Sequence, residues 1–159
     1  MQSEKIIGDA LRERGWTVAV AESCTGGLIC DRITNISGSS DYFMGGMVNY
    51  SNESKEWHLG IPLDEIKRHG AVSPQVARKM AQGVRKAFHT TFGLSTTGVA
   101  GPTGGTKRAP VGLVFIGLSN GRRTLTKKEK FKGSRRKIKE QAAESSLKFL
   151  HDFLKKRMK

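Results

Sequence analysis

Along this 159-residue chain the apolar positions change period several times, and each change marks an element. Ile6, Ile7, Ala10 and Leu11 recur at helical spacing, which predicts an amphipathic helix over residues 3 to 14 with Ser3 as its cap and Gly15 as its stop. Residues 16 to 21, WTVAVA, read as a buried strand. Past a bend of small residues, Leu28, Ile29, Ile33 and Ile36 predict a second helix that ends before Ser37 and Gly38. MGGMVNY, ending at Tyr50, reads as a glycine-containing strand, followed by a short helix opened by Ser51 or Asn52 and a further helical piece over residues 62 to 69. Ser73-Pro74 is a cap followed by proline, and Val76, Ala77, Met80, Ala81, Val84 and Phe88 supply the stripe of the helix it opens.

Residues 92 to 97 predict a strand running into the glycine-rich loop GVAGPTGG, and residues 111 to 118 predict another. Asn120-Gly121 signals a tight turn into a polar strand ending near Phe131, so this last pair is antiparallel. A final helix over residues 134 to 156 has Ile138, Ala142, Phe149, Leu150 and Phe153 on one side and lysines on the other. Strands alternating with helices, plus one hairpin, predict an α/β fold with a mixed sheet covered on both faces. The length suits one domain, residues 1 to 159, and no internal repeat is visible.

Composition narrows the class. The longest apolar runs fall far below the roughly 20 residues that cross a bilayer, and the N-terminal stretch lacks the apolar core of a secretory signal, so a cytoplasmic protein with no membrane association is expected. Cys24 and Cys30 are read as free thiols, and the scattered histidines 58, 69, 89 and 151 give no zinc-type spacing. The formal net charge is +14, and residues 122 to 159 hold 15 Lys and Arg against 4 Asp and Glu. Such a region either attracts nucleic acid, an anionic membrane or a phosphorylated substrate, or forms a solvated basic face.

Four stretches have chemical content. In AESCTGG, Ser23, Cys24 or Thr25 stands before a helix, where backbone amides and the positive end of the dipole stabilise an oxyanion; a serine or threonine there equally serves as an N-cap. In YSNESK, Tyr50 and Lys55 flank a polar turn. Burial and a helix start would both lower the Lys55 pKa toward that of a usable base; the alternative is a solvated lysine, and the S-x-x-K spacing is not met because Asn52 stands three before Lys55. GVAGPTGG, preceded by Thr97, has the glycine content of an anion cradle without the spacing of a Walker or dinucleotide loop. In FKGSR, Arg135 begins the last helix and suits a phosphate or carboxylate.

Taken together in order and spacing, AESCTGG, GSS from Gly38, YSNESK, HGAVS from His69, GVAGPTGG and PVG from Pro110 resemble the CinA C-terminal domain family of nicotinamide-nucleotide amidases, from about residue 3 to 155. The resemblance implies a three-layer α/β/α sandwich with a mixed, mostly parallel sheet. It also implies hydrolysis of the carboxamide of nicotinamide mononucleotide, with no metal or cofactor. It implies Ser23 as nucleophile, Lys55 and Tyr50 as its base system, and substrate contacts from Gly26, Gly27, Ser40, Thr97, Gly101 and Arg135. The amides near Gly26 and Gly27 are expected to hold the oxyanion, and the glycine loop, Ser40 and Arg135 the phosphate and ribose. Ser134 stands where the family has an acid, and Lys139 where arginine is common. A pyridine mononucleotide is the expected partner and a homo-oligomer the expected state. The rival readings are a basic nucleic-acid-binding module and a non-catalytic nucleotide sensor on the same fold.

Overall fold

The computed structural model describes residues 2 to 157, so the ends of the expected 1 to 159 domain lie outside the described residues. Helix α1 (Gln2–Glu13) leads into strand β1 (Val18–Glu22), and helix α2 (Leu28–Thr34) and a 3-10 turn (Ser39–Asp41) lead to β2 (Phe43–Val48). Three helices follow, α3 (Asn52–Leu59), α4 (Leu63–His69) and α5 (Pro74–Phe88). The chain then forms β3 (Phe92–Gly98), β4 (Leu113–Ser119), β5 (Thr124–Lys130) and the long helix α6 (Arg135–Arg157).

The five strands form one sheet in the order β2-β1-β3-β4-β5. β1 pairs in parallel with β2 and β3, and β4 pairs antiparallel with β3 and β5. Four strands therefore point one way and only β4 is reversed, the mixed, mostly parallel sheet expected. Side chains alternate across β1: Val18 and Val20 pack with Ile7, Leu11, Ile29, Ile33, Leu147 and Leu150, whereas Ala19 and Ala21 pack with Ile66, Val76, Met80 and Val84. The sheet is thus sandwiched between α1, α2 and α6 on one face and α3, α4 and α5 on the other. Among the described residues no helix is long and apolar enough to cross a membrane.

This topology positions the site. The connection from β1 to β2 passes through α2 on one face, and that from β2 to β3 passes through α5 on the other. The chain thus parts at the carboxyl end of β1, which opens a crevice where strand order reverses. Close approach at the sheet is secured by glycines: a Cβ at Gly93 would run into the Ala81 carbonyl oxygen of α5, and Gly46 leaves the room that the Cys30 sulfur fills.

Several sequence expectations shift at their ends. Ser3 lies inside α1, its hydroxyl donating to Glu4 at 2.9 Å, and is not the cap. β4 starts at Leu113 because Gly112, at φ 91°, turns the chain where any side chain would meet the Phe131 carbonyl. β1 includes Glu22, and α2 ends at Thr34, whose hydroxyl turns back to the carbonyls of Cys30 and Asp31. Ser73 caps α5 as read, accepting from the Val76 amide at 3.2 Å. Replacing it, Ser73→Ala, is expected to cost about 1 kcal/mol in denaturant unfolding. Gly93→Ala is expected to cost more, about 3 kcal/mol, because backbone lies in its path.

Candidate active site

Glu22, the last residue of β1, is fully buried, and its carboxylate accepts from the amides of Gly27, Ile29 and Cys30 at 3.0, 3.2 and 2.8 Å. It thereby satisfies the orphan donors at the start of α2 and keeps its own charge solvated by peptide groups. The capping role open to Ser23 and Thr25 is therefore filled by another residue. Thr25 is buried with its hydroxyl 2.8 Å from that of Thr96. Cys24 packs into the core, and burial pushes its thiol up to about 12, so it carries no thiolate near neutral pH. Ser23 alone of the three has a basic side chain at its oxygen.

That base is Lys55, whose Nζ lies 3.3 Å from Ser23 Oγ. Ser51 caps α3, accepting from the Ser54 amide at 3.0 Å, which puts Lys55 in the first turn with its side chain leaning back over the end of β2. There Nζ donates to the carbonyls of Asn49 and Tyr50 at 2.9 and 3.3 Å. Lys55 is 1% exposed, and burial lowers its pKa from 10.5 to about 8, against smaller opposing effects of Cys24 and Glu53. At pH 7 about a tenth of such amines are neutral, against about one in 2,500 at the usual lysine pKa.

A cavity of about 340 Å³ opens in front of this pair, bounded by Tyr50, Thr97, Gly101 and Arg135 among others. That is the lower end of the range for small-molecule sites. Thr97 donates its hydroxyl to the Ala71 carbonyl at 2.7 Å, fixing its rotamer with lone pairs to spare. Arg135 Nη1 donates to the Gly101 carbonyl at 2.8 Å and Nη2 to the Tyr50 hydroxyl at 2.9 Å, clasping the glycine loop and the β2–α3 turn from the start of α6.

The structure therefore brings together Ser23, Lys55, Tyr50, Thr97, Gly101 and Arg135. Three expectations need correction. Ser40 is exposed in the 3-10 turn before β2; because β1 and β2 run parallel with Val18 opposite Phe43, it sits at the opposite end of the sheet from Ser23. The Gly26 and Gly27 amides are not free for an oxyanion: they donate to the Ser23 carbonyl at 3.1 Å and to Glu22 at 3.0 Å. These two glycines instead border a second cavity of about 630 Å³ beside α6. The Tyr50 phenol, expected in the base system, is 60% exposed and engaged by Arg135, while the Tyr50 carbonyl is what holds Lys55.

Sequence reading missed Glu22 and Asn49. Glu22 is the acid directly before the bend, a signal available in AESCTGG; Asn49, whose amide donates to the Glu22 carbonyl at 2.7 Å, carries no signal beyond ending a strand. Among the described residues, no three His, Cys, Asp or Glu side chains group as a metal site would require.

The same chain organisation is found in other proteins. A CinA-like protein of Syntrophus aciditrophicus is 51% identical over 152 residues, and one of Salinibacter ruber 49% identical over 144, covering 95% and 91% of this chain. The chain spans only 36% and 35% of their lengths. Among solved structures, the competence/damage inducible protein CihA of Agrobacterium tumefaciens superposes with a TM-score of 0.88 at 35% identity, covering 93% of this chain and 90% of that one. A competence or damage-inducible protein of Enterobacter asburiae gives 0.93 at 28% identity, with 96% of each chain covered. The family model of the CinA C-terminal domain matches residues 1–154, and the chain belongs to that family.

Proposed function

We propose that this domain is a serine amidase that hydrolyses the carboxamide of nicotinamide mononucleotide to nicotinate mononucleotide and ammonia. The observation that carries the reading is the buried Lys55 amine 3.3 Å from Ser23 Oγ, with its pKa lowered to about 8. Neutral Lys55 accepts the Ser23 proton directly as Oγ bonds to the carboxamide carbon. In this reading the tetrahedral oxyanion is met by the backbone amides of Cys24 and Thr25, which directly follow Ser23. The Lys55 ammonium returns its proton to the leaving nitrogen as the C–N bond breaks, releasing ammonia and an acyl ester on Ser23. Water then adds to that ester with Lys55 again taking the proton, and breaking the ester bond frees the acid and restores the serine.

The basic excess of residues 122 to 159 is partly interleaved with acids: Lys127 pairs with Glu129, Arg136 with Glu140 and Lys148 with Asp152. That spacing favours a solvated face over a continuous stripe for nucleic acid.

Ser23→Ala is expected to lower ammonia release by roughly three orders of magnitude or more while leaving the unfolding midpoint near wild type. Retained turnover would remove Ser23 from the mechanism, and retained mononucleotide binding with no turnover in the wild type would favour a sensor. Because the base must be neutral, kcat/KM is expected to fall about tenfold per pH unit below about 8 and to level off above it. Stability follows the same group. Between about 8 and 10.5 the unfolded chain holds the Lys55 proton that the folded chain has released, so stability rises with pH across this window. Lys55→Met is expected to remove that rise in denaturant titrations at successive pH values.

A further inference from the structure

Asn49, the buried residue that follows β2, joins three parts of the chain. Its backbone N–H donates to the Glu22 carbonyl at 2.7 Å, which carries the β1–β2 pairing up to the residue before Ser23. Its carbonyl accepts from Lys55 Nζ at 2.9 Å. Its side-chain Nδ2 donates to the carbonyl and the hydroxyl of Ser54, the residue before Lys55, at 3.4 and 3.2 Å. A carbonyl only accepts, so the nitrogen must face Ser54 and Oδ1 is turned away; that oxygen is buried without a hydrogen-bond partner. Such oxygens are rare because their lost hydration goes uncompensated. Among the described residues, the Tyr42 hydroxyl is the one other buried side-chain polar atom in that condition. The fold therefore keeps an amide at position 49 although half of it is destabilising, and the other half is what reaches Ser54.

Lys55 Nζ has three polar neighbours, the carbonyls of Asn49 and Tyr50 and the Ser23 hydroxyl. A neutral amine offers two N–H groups and one lone pair. The two carbonyls take both hydrogens, which leaves the lone pair for the Ser23 O–H. A shift of the first turn of α3 against the end of β1 would spoil that match. We infer that Asn49 is a positioning residue for the Ser23–Lys55 pair: its backbone and side chain hold Glu22 and Ser54, the neighbours of the two reacting residues, at one separation and so aim the amine's lone pair at the hydroxyl. The inference rests on the amidase reading and deepens it. Asn49 is not among the residues lining the Ser23 cavity, so it acts through Lys55 and not on the substrate. The ionisable groups that act on Lys55 are Cys24 from the bend after β1 and Glu53 from α3, and neither is among the hydrogen-bond partners of Nζ.

The test compares wild type with Asn49→Ala on nicotinamide mononucleotide across pH. Without the side-chain amide the first turn of α3 loosens and water reaches Nζ, which favours the ammonium. At pH 7 kcat is expected to fall about 10- to 100-fold with KM within about twofold of wild type. The acid limb of kcat/KM, at about 8 in wild type, is expected to move up by about half a pH unit or more. A loss of rate without that shift is a packing effect and overturns the inference, as does an unchanged rate or a loss carried by KM. If Asn49→Ala does not fold, Ser54→Ala, at a half-buried position, removes the nearer acceptor of Nδ2 and carries the test. A fall in kcat of about threefold or more with the limb moving the same way then upholds the inference, and any other result overturns it. If the wild type releases no ammonia, the amidase reading fails on its own, and NMR titration of isotope-labelled lysine, with the Lys55 signal assigned through Lys55→Met, decides the positioning role. A Lys55 pKa raised by about half a unit or more in Asn49→Ala upholds it, and an unchanged one overturns it.

Discussion

A primary amine enclosed by neutral oxygens, with no carboxylate against it among the described residues, is the constraint on which the rest of the site depends. Lys55 Nζ is bonded to Ser23 Oγ and to two backbone carbonyls. A carboxylate in place of those carbonyls would hold the amine protonated. The carbonyls steady the side chain while leaving its basicity near neutrality. They are available because β2 ends there without a further pairing partner, and because the Ser51 cap starts α3 at the right point to swing Lys55 back over them.

Glu22 is the complement of that arrangement. It places a buried carboxylate in the sheet one residue before Ser23, yet turns it toward three amides at the start of α2 rather than toward Lys55. Ser23 is consequently free of capping duty. The same carboxylate raises the thiols of Cys24 and Cys30, alongside the dominant effect of burial. One buried acid thus helps make serine, not cysteine, the usable oxygen or sulfur at this bend.

Much of this was legible in the sequence wherever local rules and tertiary packing agree. Ser73-Pro74 with its stripe marked α5 because cap, proline and burial all favour the same helix, and Asn120-Gly121 marked the β4–β5 turn, where Gly121 takes φ 85°. Glu22 stood in plain view as the acid before the bend, but a polar residue after an apolar run reads as the end of a strand, and only the folded chain reveals the amides of residues 27, 29 and 30 donating to it. Ser40 was misplaced because its distance from Ser23 follows only once β2 is known to pair in parallel with β1, which sets the start of β2 beside Val18. Gly26 and Gly27 were expected to offer their amides to an oxyanion, but they take φ 61° and 103° at the bend and hydrogen bonding has already claimed their N–H groups.

The Cys24 thiol, adjacent in sequence to Ser23 and pushed up to about 12, has a consequence for how this protein meets its chemical surroundings. Alkylating agents and peroxides select for ionised sulfur, and here they find a buried thiol held neutral. Hydrolysis built on the neighbouring hydroxyl would go on under oxidising stress that silences thiolate enzymes.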